Sequence, residues 1–195
     1  MKIILDLCGG TGSWSKPYKE AGYDVRVVTL PDLDVRDWRN SWLSDLVFSG
    51  KVYGILAAPP CTMFSYARTN AKKPRDLKEG MECVRACLDI IWTCKEITQK
   101  TGKKTLPLKF WVLENPYHGF LPRFLGKPAF TFDPWEFGDG YQKRTALWGD
   151  FNEPIKHPVP LTAEMKKKAL TNSHIHTLGV KFDYLKSKDI HPEAF

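Results

Sequence analysis

Apolar residues along this chain fall into short, nearly unbroken runs that stop abruptly at glycine, proline or a polar cluster. KIILDL (2–7) ends in Gly-Gly-Thr-Gly, YDVRVVTL (23–30) stops at Pro31, VYGILAA (52–58) at Pro59-Pro60, and LKFWVLEN (108–115) at Pro116. Such runs predict strands with little water on either face. Helical stretches lie between them. SWSKPYKEAG (13–22) predicts a helix closed by Gly22, with a first turn made irregular by Pro17. DVRDWRNSWLSDLVF (34–48) predicts a helix that begins after Asp37 as its N-cap. The stretch 75–100 predicts the longest helix, since Met81, Val84, Leu88, Ile91 and Ile97 recur at helical spacing. Strands alternating with helices predict an α/β fold, a mostly parallel sheet flanked by helices.

Beyond residue 116 the pattern loosens into aromatics, prolines and short β-like pieces, AFTFDPW (129–135) and RTALWGDF (144–151). The run Lys166-Lys167-Lys168 reads as a solvated helix face. There is no internal repeat and no low-complexity linker. The 195 residues suit one domain, 1–195. No run approaches the ~18 apolar residues of a membrane span. The start MKIILDLCGG is too short for a signal peptide, so it reads as a strand and the chain as cytoplasmic.

Charge adds a partner class. Lys and Arg exceed Asp and Glu by 29 to 22, a net +7. That excess favours a polyanionic partner such as a nucleic acid, a plain soluble basic surface being the other reading. An odd set of five cysteines (Cys8, Cys61, Cys83, Cys87, Cys94) argues against a disulfide framework. Cys83, Cys87 and Cys94 share one helical face and read as small buried hydrophobes. No CxxC pair is present, and no metal site is expected.

In an open parallel sheet, ligands bind beyond the carboxyl ends of the strands. Those ends here carry Gly9–Gly12, Asp32–Asp34, Pro60–Cys61 and Glu114–Asn115, so they predict one shared cleft. DLCGGTGSW (6–14) is a glycine loop between strand and helix. It lacks the Gly-Lys-Ser/Thr of a P-loop, and Ser15 occupies the third glycine position of the dinucleotide fingerprint. With Asp6 before it, the loop suits S-adenosylmethionine, which has no pyrophosphate; a plain tight turn is the other reading. In AAPPCTMFSYAR (57–68), Pro59 and Pro60 stiffen a turn and aim Cys61, a thiol that can serve as a nucleophile at a strand end. Ser65, Tyr66 and Arg68 follow on a loop that could meet a phosphate or a base. Glu114 in WVLENP (111–116) sits awkwardly for a core strand, and a carboxylate in a cleft can hold a raised pKa and pass a proton. In YQKRTALW (141–148), Gln142 and Lys143 precede Arg144, whose planar fork can hold a carbonyl oxygen or a phosphate.

In this order, these pieces resemble the DNA cytosine carbon-5 methyltransferase family. DLCGGTG is similar to that family's DLFAGxGG cofactor motif, APPC to its Pro-Cys motif, LEN to the head of its Glu-Asn-Val motif, and QKR to the start of Gln-x-Arg-x-Arg. The resemblance covers residues 2 to about 150, and DPWEFGDGYQKRTALW is closest in texture to the small phage-type branch. It implies a Rossmann-like S-adenosylmethionine-dependent methyltransferase fold. It also implies catalysis by Cys61, which would add to carbon 6 of cytosine, by Glu114, which would protonate the ring nitrogen, and by Arg144, which would hold the exocyclic oxygen. No metal is needed.

The implied cofactor contacts are Asp6, Leu7, Cys8, Gly9, Gly10, Thr11, Gly12, Ser13 and Trp14, then Asp34 and Val35 at the adenine, Pro60 at the methyl channel, and Met81. The implied substrate contacts are Pro59, Ser65, Arg68, Asn115, Gln142 and Lys143, with Asn115 tying down the Cys61 loop. The implied partner is DNA, duplex or single-stranded, in the cytoplasm, a host's if the chain is phage-encoded. The chain departs from the family at Cys8 (usually Phe), at Leu30-Pro31 (where an acidic residue is expected, with Asp32 or Asp34 as substitutes at the ribose), at Pro116 and at Ala146 (the second Arg). Residues 147–195 are too few for the family's target-recognition domain, although HPEAF resembles a remnant of its last helix. That implies loose sequence specificity or a partner protein that supplies recognition. RNA or a free cytidine nucleotide as substrate, and a nucleic-acid-binding homologue without turnover, are the alternatives.

Overall fold

The computed structural model describes residues 2–66, 71–100, 108–160 and 162–163. Arg68, the Lys166–Lys168 run and HPEAF lie outside the described residues. The chain forms β1 (Ile3–Leu7), α1 (Lys16–Glu20), β2 (Asp24–Val28), α2 (Trp42–Phe48), β3 (Val52–Ala57), α3 (Leu77–Lys100), β4 (Phe110–Pro116), α4 (Leu121–Leu125), β5 (Phe130–Phe132) and β6 (Thr145–Asp150). Single 3₁₀ segments cover Val35–Asn40, Cys61–Met63 and Pro134–Phe137.

The result is an α/β fold with one mixed six-stranded sheet in the order β2-β1-β3-β4-β6-β5, flanked by helices. β1 to β4 run parallel, and β6 is antiparallel to both β4 and β5. β1 and β3 are buried at every position, because side chains on both faces meet apolar layers. Alternation along β1 sends Ile3, Leu5 and Leu7 into one core with Trp38, Leu43, Ile90 and Ile91. Ile4 enters a second, aromatic core with Tyr18, Tyr53 and Phe110.

The 34–48 stretch is not one helix capped by Asp37. Asp34 caps the 3₁₀ segment by accepting from the Arg36 N–H, and Ser41 caps α2 by accepting from the Leu43 N–H. Each oxygen satisfies a donor that the helix start leaves open, so the chain turns twice. Cys87 and Cys94 are buried as expected, whereas Cys83 is only partly buried at the edge of the core. No cluster of metal-ligating side chains occurs among the described residues. No helix among them is long and apolar enough to cross a membrane.

The strand order reverses at β1. The chain places β2 on one side of it and β3 on the other. The loops after β1 and β3 therefore diverge and leave a crevice at their carboxyl ends.

Candidate active site

A cleft of about 300 Å³ fills that crevice. β1 leads into it with Cys8, β2 with Thr29 and Leu30, the next turn with Leu33, Asp34, Val35 and Arg36, the β3 loop with Pro60 and Thr62, and α3 with Glu79, Gly80 and Cys83. Gly80 is a requirement of contact: a Cβ there would lie 2.7 Å from the Met63 Cβ, so only glycine lets α3 press on the Cys61 loop. Asp34 accepts from the Arg36 guanidinium at 2.6 Å. That bond holds its carboxyl below the usual range. Asp32 is exposed and does not line the cleft.

Of the glycine-loop candidates only Cys8 lines this cleft. It adopts a left-handed φ of 59°, and its N–H donates to the Val28 carbonyl at 2.8 Å. A hydrogen bond from the Cys87 thiol to the Cys8 sulfur lowers the Cys8 pKa. Asp6 works beneath the loop. It is fully buried, accepts from the Ser15 Oγ at 2.5 Å, and leaves its Oδ1 without a hydrogen bond. Burial pushes its pKa up, against the pull of Ser15. A Cβ on Gly9 would overlap the Asp6 carboxyl, so Gly9, Asp6 and Ser15 form one locked turn. Leu7 is core. Gly10 faces open space at φ +55°, Gly12 donates to the Gly9 carbonyl at 2.9 Å, and Thr11 and Ser13 share an exposed 2.7 Å hydrogen bond. Trp14 packs against the aromatic core, and Met81 against the opposite one.

Next to the cleft-lining Pro60 and Thr62, a second group of side chains meets at Cys61. Cys61 opens a 3₁₀ turn, and its carbonyl accepts from the Phe64 and Ser65 N–H groups, both at 2.9 Å. Burial pushes the Cys61 thiol up; the Lys143 ammonium lowers it and the Glu114 carboxylate raises it. Burial also raises the Glu114 pKa, again opposed by Lys143. Cys61, Glu114 and Lys143 therefore share one field, although they come from β3, β4 and the approach to β6. Fully buried Asn115 donates its Nδ2 to the Pro59 carbonyl at 2.9 Å, which moors the Cys61 loop to β4. Ser65 bridges to Gly119, and its carbonyl accepts from Arg75. Gln142 is exposed beside Lys143.

Arg144 points elsewhere. Its guanidinium donates to Thr131 Oγ1 at 2.8 Å and Asp133 Oδ2 at 3.2 Å, with Glu136 Oε2 at 3.4 Å. Lys143 and Arg144 both precede β6, and there the chain brings the lysine charge to bear on Cys61 and Glu114 while Arg144 bonds to Thr131 of β5. Lys143 makes no ion pair among the described residues. Ala146 is fully buried on β6 between Asn115 and Thr131, a position with no room for arginine. Leu30, Leu33, Arg36, Gly80 and Cys83 were not read as site residues from the sequence. A glycine inside an otherwise helical pattern, LKEGMEC, was the one available signal for Gly80. No protein-family model matches the chain, and a search of curated proteins finds no match.

Proposed function

We propose that this chain is an S-adenosylmethionine-dependent DNA cytosine carbon-5 methyltransferase with a Rossmann-like fold, acting through a covalent Cys61 adduct. The observation that carries the reading is that Cys61, whose chain neighbours Pro60 and Thr62 line the cleft, lies within electrostatic reach of both Glu114 and Lys143. The reversed strand order at β1 supports the fold assignment.

The cleft suits the cofactor on its own chemistry. Leu30, Leu33, Val35 and Pro60 offer apolar walls for a purine and ribose; the carboxylates at the cleft, Asp34 and Glu79, are paired with Arg36 and Lys73, which a cationic ligand would have to displace. When bound, S-adenosylmethionine supplies an electrophilic methyl group. Pro60 holds the wall between that site and Cys61. Glu114, whose pKa burial raises, donates in its protonated form to N3 of cytosine, the ring nitrogen conjugated through carbon 4 with the carbon 5–carbon 6 double bond. When Glu114 carries its proton, the charge that raises the Cys61 pKa is absent. Lys143 supplies the remaining positive field, so the thiolate can add to carbon 6 and turn carbon 5 into a nucleophilic enamine carbon. After transfer, loss of the carbon-5 proton to a base and release of the Cys61 sulfur restore the ring. Asn115 keeps the loop in register throughout.

The test is incubation with tritiated-methyl S-adenosylmethionine and a panel of duplex DNA, single-stranded DNA, RNA and dCMP, with a 5-fluorocytosine oligonucleotide as trap. Label in 5-methylcytosine and a covalent adduct are expected, and both should vanish in Cys61→Ser while cofactor binding stays nearly intact. Equal loss of cofactor binding and transfer in Cys61→Ser would make the loop structural. Label in RNA or dCMP alone would change the substrate class.

A further inference from the structure

We infer that the Tyr66–Phe120 surface beside Cys61 is a stacking platform for an unpaired DNA strand, so that this chain grips single-stranded DNA in preference to duplex. The inference takes cytosine as the reacting base from the methyltransferase reading, but its binding argument stands on separate observations.

The platform is built where two loops pair. The Phe120 N–H donates to the Phe64 carbonyl at 3.0 Å, and Ser65 bridges antiparallel to Gly119. This pairing carries Tyr66 and Phe120 into edge-to-face contact, with centroids 5.1 Å apart at 76°. Two guanidiniums lie over the Phe120 ring, Arg75 at 4.7 Å and Arg123 at 5.0 Å. Arg75 also donates to the Met63 and Ser65 carbonyls, which ties the platform to the Cys61 turn. Phe120 packs partly against the core, whereas Tyr66 remains 48% exposed.

Charge points to the occupant. The chain has no acidic residue between Asp45 and Asp76, nor between Glu114 and Asp133, the two stretches that build the platform. Arg123 is exposed and makes no ion pair among the described residues. Aromatic rings interleaved with unneutralised arginines are the means by which proteins hold single strands: bases stack on the rings and phosphates meet the cations. A duplex hides its base faces, so the rings gain nothing from it unless a base leaves the stack. The platform lies five residues beyond Cys61, where a strand would present one base to the thiol and lay a neighbour on Tyr66.

The experiment measures fluorescence anisotropy of labelled single-stranded DNA, its blunt duplex and the RNA of the same sequence, without cofactor, over a salt series. Single-stranded DNA is expected to bind about tenfold tighter than duplex, within the range for one stacked base. Tyr66→Ala should lose about tenfold at an unchanged salt slope, and Tyr66→Phe should keep the affinity. Arg123→Gln should reduce the log–log salt slope by about 0.7, one phosphate contact. Equal or tighter duplex binding overturns the inference, as does equal behaviour of Tyr66→Ala and Tyr66→Phe. Tighter binding to RNA overturns the assignment to DNA. Single-strand binding through Tyr66 with no methyl transfer supports the platform and removes the methyltransferase reading.

Discussion

Asn115→Ala tests how the fold aims the nucleophile. The loop from Ala58 to Cys61 contains two prolines, so Pro59 and Pro60 offer no backbone N–H to hold it. Its fixed points are the Ala58 N–H on the Leu7 carbonyl at 2.9 Å and the Asn115 Nδ2 on the Pro59 carbonyl at 2.9 Å. Asn115 is fully buried, so the alanine variant leaves the Pro59 carbonyl without a donor and without water. That loss costs about 1–3 kcal/mol. The Asn115 Oδ1 makes no hydrogen bond, and removing this desolvated acceptor returns part of the cost. A net loss of about 1–2 kcal/mol is expected, or a melting temperature lower by about 2–8 °C for a chain of this size. Asn115→Asp should cost more, because an acceptor then faces an acceptor. The catalytic effect should exceed the stability effect, since a displacement of about 1 Å at a reacting atom can cost on the order of 100-fold in rate. Urea unfolding followed by tryptophan fluorescence gives the first quantity, and single-turnover methyl transfer at saturating cofactor gives the second. An alanine variant as stable as the parent, with undiminished transfer, would refute the mooring argument.

Two further predictions concern titration and charge. The folded pKa of Glu114 is raised above its ordinary 4.5, so its contribution to stability is present in full below 4.5 and is lost as pH climbs through the raised value. Glu114→Gln, neutral throughout, should therefore melt higher than the parent at neutral pH and match it below pH 4.5, with methyl transfer abolished; a variant less stable at neutral pH would contradict this sign. Lys143→Met should move the pH profile of Cys61 alkylation by iodoacetamide upward, since the ammonium lowers that thiol's pKa. Arg144→Met should leave the profile in place and cost about 1–2 kcal/mol in urea unfolding through the lost bonds to Thr131 and Asp133, a figure kept low by partial exposure. The reverse pattern would restore Arg144 as the cation facing the thiol.

The strands were legible because burial on both faces leaves an unmistakable imprint, an apolar run cut by glycine or proline. KIILDL and VYGILAA contain β1 and β3, and LKFWVLEN matches β4 except that the strand runs one residue further, through Pro116. The loaded strand ends were legible for the same reason: Cys61 and Glu114 follow directly from where the runs stop, and local chemistry places polar groups there. The start of the second helix was not, because Asp34, Asp37 and Ser41 are all competent caps and only the packing of Trp38 and Leu43 selects among them. Nor was the pairing of β6 between β4 and β5, which depends on contacts far apart in the chain. That pairing sets the two basic residues apart. In QKR, Lys143 and Arg144 are adjacent and chemically alike, yet the folded approach to β6 gives the lysine to Cys61 and Glu114 and the arginine to Asp133. One-dimensional pattern records which residues avoid water and where the backbone must turn. Which charge faces which thiol is a property of sheet order and register, and these exist only once the chain has closed on itself.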